Sequence, residues 1–130
     1  MTQEDKCLLL HDLCGRLPYG VKCENFNHVY GKNIFKVTDI RDNGYICGVI
    51  NSKHCWSVPD PLELKPYLFP LSSMTEEQYD ECTNMGYSVT ERWWSMANYH
   101  QIDWFNKNHI DYRGLIEKGL ALDATNLNIY

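Results

Sequence analysis

The chain has 130 residues, a formal net charge of -5, and 44% hydrophobic against 22% charged residues. This composition excludes intrinsic disorder and suits one domain that buries roughly two-thirds of its unfolded surface without needing a disulfide or metal. Residues 1–59 carry seven Lys/Arg against six Asp/Glu and residues 60–130 five against eleven. The acidic second half disfavours nucleic-acid binding unless Lys22, Lys32, Lys36, Arg41 and Lys53 gather on one face.

Thr2, with Asp5 three residues on, opens a predicted helix that ends at Gly15. Leu9, Leu13 and Cys14 form its expected buried stripe, while Asp5, Lys6 and Asp12 face water. Leu17-Pro18-Tyr19-Gly20 reads as a turn, and the signals then change to strand over residues 21–58. A first strand runs from Val21 to Asn25. Strands Asn33 to Arg41 and Tyr45 to Asn51 are joined through Asp42-Asn43-Gly44, where Asn-Gly suits a type I′ turn. That turn pairs Ile40 with Cys47, Thr38 with Val49 and Val37 with Ile50, leaving apolar side chains on both faces of a curled or covered sheet. Cys55 to Val58 adds a fourth strand.

Pro59, Pro61, Pro66 and Pro70 mark residues 59–72 as an extended strap that excludes a regular helix or central strand. Helical signals fill residues 73–122. A short helix begins at one of two capping boxes, Ser73 with Glu76 or Thr75 with Gln78, and stops before Gly86. A long one runs from Thr90 to Asn106 or Lys107 and buries Val89, Trp93, Ala97, His100 and Trp104, with Trp94 and Phe105 at the edge of the stripe. A third covers Leu115 to Leu122, and residues 123–130 form a fraying tail. The predicted fold is therefore a single α+β domain: an N-terminal helix, a three- or four-stranded antiparallel sheet, the strap, and a C-terminal helical layer.

Six cysteines form no Cys-x-x-Cys pair, so they read mainly as buried apolar thiols, and no metal or cofactor is expected. The alternative is a metal or nucleophile at His54-Cys55, completed by His28 or Cys23. No Gly-rich phosphate loop, Gly-x-Ser-x-Gly, His-Glu-x-x-His or calcium loop occurs, which points to binding without catalysis. The candidate binding residues are Trp94, as an exposed anchor, His100, between two indoles, and the turn that holds His109, Asp111, Tyr112 and Arg113. In that turn Arg113 suits a bidentate anion contact with Asp111 orienting His109. Equally, Asp111 caps the next element and Arg113 pairs with an acidic neighbour.

Asp12-Leu13-Cys14-Gly15-Arg16-Leu17-Pro18-Tyr19-Gly20-Val21, Lys65-Pro66-Tyr67-Leu68-Phe69-Pro70-Leu71-Ser72-Ser73-Met74-Thr75 and Asp111-Tyr112-Arg113-Gly114-Leu115-Ile116-Glu117-Lys118-Gly119-Leu120-Ala121 resemble segments of a family of short hypothetical proteins from gut bacteria and their phages. The resemblance implies a small phage or mobile-element accessory protein acting on a host component, and carries over no functional residues. With no apolar run long enough for a membrane span or export signal, the expected setting is the cytoplasm of a bacterial host, away from the membrane. Three expectations follow for function: a protein partner, a small nucleotide-like or otherwise anionic ligand, or weak nucleic-acid binding through the sheet.

Overall fold

A computed structural model of the protein describes residues 2–27, 31–50, 53–86 and 97–130. The first helix, α1 (Gln3–Arg16), opens on a capping box in which Asp5 N donates to Thr2 Oγ1 (3.1 Å) and Thr2 N to the Asp5 carboxylate (3.0 Å). Its buried residues are Leu9, Asp12, Leu13 and Arg16, a regular i, i+3, i+4, i+7 stripe. The expectation that Asp12 faces water and Cys14 lies inside is thus reversed, since Asp12 is 0% exposed and Cys14 is exposed. Helical phase prevails over side-chain charge because a cation partner lies on the same stripe.

Strands β1 (Lys22–Asn27), β2 (Gly31–Ile40), β3 (Ile46–Ile50) and β4 (His54–Val58) form an antiparallel meander. The β2–β3 loop is not a type I′ turn. Gly44 alone takes a left-handed conformation (φ 84°), while Arg41 N donates to Tyr45 O and Gly44 N to Arg41 O (both 2.9 Å). This is a three-residue loop over Asp42, Asn43 and Gly44. It pairs Ile40 with Ile46 and Asp39 with Cys47, and after a bulge at Thr38 it sets Val37 opposite Gly48 and Phe35 opposite Ile50. The register has slipped by one from the sequence expectation before the bulge and by two beyond it. Phe35 and Val37 are consequently buried while Lys36 and Thr38 face outward, so β2 is one-sided rather than apolar on both faces. Gly48 anchors the arrangement, because a Cβ there would collide with the Phe35 ring and the Lys36 carbonyl.

The proline-rich strap is not outside the sheet. Leu64–Pro70 forms β5, and the order β4-β3-β2-β1-β5-β6 gives a mixed seven-stranded sheet in which β7 also pairs with β5. β5 runs antiparallel to β1 over three rungs and parallel to β6 (Ile110–Asp111) and β7 (Leu122–Asp123) over two rungs each. Pro66 and Pro70 occupy terminal rungs, where a missing N–H disturbs the ladders least. Leu68 O accepts from Ala124 N and Phe69 N donates to His109 O (both 2.8 Å). Adjacent strand residues point to opposite edges, so β7 and β6 flank β5 on its two sides.

Among the described residues the further α-helices are α2 (Glu76–Thr83) and α3 (Tyr99–Lys107). Of the two boxes offered by the sequence, α2 uses Thr75 with Gln78. α3 starts at Asn98, whose side chain accepts from Gln101 N (3.0 Å) and donates to Met85 O (2.8 Å). Gln101 Nε2 donates to Cys82 O (3.0 Å), which ties α3 to the end of α2. Thr90, Trp93 and Trp94 lie outside the described residues. No helix covers Leu115 to Leu122. Turns occupy that stretch and lead into β7, so among the described residues the expected C-terminal helical layer amounts to two short helices. The tail is tied down as well, with Ala124 buried and Tyr130 hydrogen-bonded to β5. The α+β class holds, and the sheet is larger and more mixed than the sequence suggested.

Among the described residues two apolar clusters form the core. One packs Leu9 and Leu13 of α1 against Val21, Cys23, Phe35, Val37, Ile50 and Leu64 of the sheet side. The other joins Cys82, Trp104, Phe105, Ile110 and Tyr112. Among the described residues no helix is long and apolar enough to cross a membrane.

Candidate functional site

The turn after α3 sends neighbouring side chains to two different places. His109 takes a left-handed conformation (φ 59°) just past the helix cap, and this reverses the chain so that Ile110 and Asp111 lie beside β5. Beyond it, the polar side chains turn inward. The Asp111 carboxylate accepts from Leu115 N (2.9 Å) and Ile116 N (3.0 Å), which fixes the following turn rather than orienting His109. Tyr112 is stacked on Phe105, with ring centroids 5.4 Å apart, and the guanidinium groups of Arg16 (5.4 Å) and Arg113 (5.0 Å) lie over its ring. Burial raises the pKa of its hydroxyl.

Arg113 is not free for an anionic ligand. Its Nη1 lies 3.2 Å from Asp12 Oδ1, while Arg16 Nε donates to Asp12 Oδ2 and Arg16 Nη2 to Ile110 O (both 2.7 Å). Asp12 therefore holds two guanidinium groups, one from its own helix and one from the C-terminal turn. The bracket satisfies a carboxylate that would otherwise be costly to bury.

His109 points to the other place. Its ring stacks on Tyr130 at 3.6 Å and 10°, and Phe69 lies 6.1 Å from Tyr130. The Tyr130 hydroxyl donates to Tyr67 O (2.8 Å) and accepts from Lys22 N (2.9 Å), and Lys22 Nζ donates to Ile129 O (2.9 Å). Burial of this hydroxyl end raises the tyrosine pKa, although the residue as a whole is 41% exposed. Burial, and then the Arg16 and Lys22 cations, hold His109 down to about 4, so its imidazole is neutral near pH 7. A neutral ring offers one donor and one acceptor, and Nδ1 of His109 is buried with no hydrogen-bond partner.

Beside this stack opens a cleft of about 450 Å³, lined by Phe69, Gln78, Lys107, His109, Asn126 and Tyr130 among others. Lys107 is exposed and supplies a positive charge at its rim. The combination of an aromatic wall, amides, a neutral imidazole and a cation is suited to holding a planar polar molecule. No protein family, curated protein or solved structure matches this chain.

The sequence candidates therefore separate. His109 lines the cleft, Asp111, Tyr112 and Arg113 belong to the buried bracket and its turn, and Trp94 lies outside the described residues. His100, expected inside the core, is exposed and lies against Tyr99, with ring centroids 4.1 Å apart. The buried stripe of α3 is Gln101, Trp104 and Phe105, and His100 precedes it in the first turn. Sequence reasoning missed Phe69, Lys107 and Tyr130. The signal available for Tyr130 was the Asn-rich tail: Asn126 and Asn128 take left-handed conformations (φ 64° and 52°), which asparagine tolerates and which fold the tail back. Of the basic residues, Lys22 and Lys36 are rung partners, but Lys22 Nζ is engaged by Ile129 O. His28 lies outside the described residues. The described His, Cys, Asp and Glu residues form no group of three or more able to hold a metal ion.

Proposed function

We propose that the protein binds a small planar molecule carrying a negative charge, seated in the cleft beside His109 and Tyr130. The observation that carries this reading is the 450 Å³ cleft walled by the neutral His109 ring stacked on Tyr130, with the exposed Lys107 at its rim. Tyr130 and Phe69 contribute an aromatic wall, and Lys107 favours an anionic substituent at the rim.

A thermal-shift screen against nucleotides and aromatic carboxylates tests the proposal. A ligand at a hundred times its Kd stabilises by about 2.7 kcal/mol and raises Tm by roughly 10 °C in a domain of this size. His109→Phe keeps an aromatic ring against Tyr130 and removes the polar imidazole edge, so the shift should be lost in this variant. A flat response across the panel, or an equal shift in His109→Phe, overturns the reading.

A further inference from the structure

We infer that Cys47 and Cys55 together bind one soft monovalent metal ion of the Cu(I) class at the outer face of the β3–β4 edge. The site is separate from the His109 cleft. The strand register sets Cys47 opposite Ser57 and Val49 opposite Cys55, so the two cysteines are diagonal neighbours on one face. Both line a cleft of about 250 Å³ that also includes Arg41 and Ser57. Cys47 is nearly buried at 7% exposure and its Sγ lies 3.2 Å from Ser57 Oγ, whereas Cys55 is exposed and leaves an entry path.

Distance decides what such a pair can do. Diagonal partners lie about 7–8 Å apart at Cα with their Cβ atoms somewhat closer, whereas a disulfide requires Cβ atoms within about 4.5 Å. A metal held between two sulfurs spans the wider gap. The ion class follows from the donors. Thiolates select soft ions, and two sulfurs fall short of the four ligands of a structural zinc site. Binding replaces two thiol protons by one monovalent cation, giving a bis-thiolate unit of charge -1 with two protons released. Arg41 lines the same cleft, paired with Asp39 at 3.5 Å, and supplies positive charge beside the two sulfurs.

The remaining thiols divide clearly. Burial pushes Cys82 up to about 11 and raises Cys23 further, which disfavours their thiolates, while Cys7 and Cys14 are exposed on α1. The test uses full-length protein carrying Cys7→Ser and Cys14→Ser, titrated anaerobically against Cu(I) bicinchoninate. One equivalent should transfer from the chelate, and X-ray absorption should show two sulfur neighbours. Cys55→Ser changes an exposed side chain and should abolish the transfer with an unchanged far-UV spectrum. Arg41→Gln should weaken binding by roughly tenfold, as loss of an outer partner does. Absence of transfer, or transfer undiminished in Cys55→Ser, overturns the inference. So does formation of a Cys47–Cys55 disulfide under mild peroxide in place of copper uptake.

Discussion

The bracket around Asp12 and the cleft beside His109 are built from the same turn, yet they differ in how their polar groups are spent. In the bracket, Asp12 has Arg16 on one oxygen and Arg113 on the other, and Asp111 is occupied by two backbone amides. In the cleft, His109 is stacked on Tyr130 with Nδ1 left over. A run of titratable residues in sequence is therefore no guide to a site. What distinguishes the two regions is that every carboxylate oxygen of Asp12 and Asp111 has an internal partner, whereas His109 Nδ1 has none.

The largest effect expected from breaking this contrast comes from Asp12→Asn, which leaves two guanidinium groups without their carboxylate. Loss of one partner from a buried ion pair costs about 3–5 kcal/mol, and chemical denaturation should show a loss of that order. A loss below 1 kcal/mol would mean that the bracket contributes little. On the cleft side, Tyr130→Phe retains the stacked ring and removes the hydroxyl that joins Lys22 N to Tyr67 O. The expected cost is about 1 kcal/mol, together with faster amide exchange at Lys22.

The smallest effect at neutral pH, and the sharpest test, is His109→Phe. The folded value of His109 is depressed to about 4 from 6.5. The neutral ring is thus favoured by folding, and its contribution is complete above pH 6.5 and lost as pH falls toward 4. Wild-type stability should decline across that window relative to His109→Phe, with the two curves parallel above pH 7. Parallel curves throughout would show that His109 titrates normally.

Local features were legible in the sequence where the determinants were local. The Thr2 and Thr75 capping boxes, the loop at Asp42-Asn43-Gly44 and the strand around Cys55 to Val58 all formed. The register did not follow from the loop, because Asn-Gly fits more than one turn type and the contact of Phe35 over Gly48 is set by packing. The rule against proline in a central strand failed for a comparable reason: ladders of only two or three rungs place Pro66 and Pro70 at their ends. Asp12 misled because its charge was weighed without Arg113, whose partnership depends on how the far end of the chain folds back. His109 was identified among the site candidates, but its aromatic partner Tyr130 lay in a tail read as frayed.

Strand β5 also bears on how the fold is reached. The meander from β1 to β4 closes through contacts between successive strands, so it can form early. β5 instead pairs with β1 from the first part of the chain and with β6 and β7 from the last. Each of these ladders closes a long loop for only two or three rungs, and the entropy of that closure is spent before the contacts repay it. Docking of β5 should therefore be a late event, reported by slow protection of the Leu68 and Phe69 amides in pulsed hydrogen exchange. The strand that joins the two ends of the chain is, in kinetic terms, the sheet's last seam.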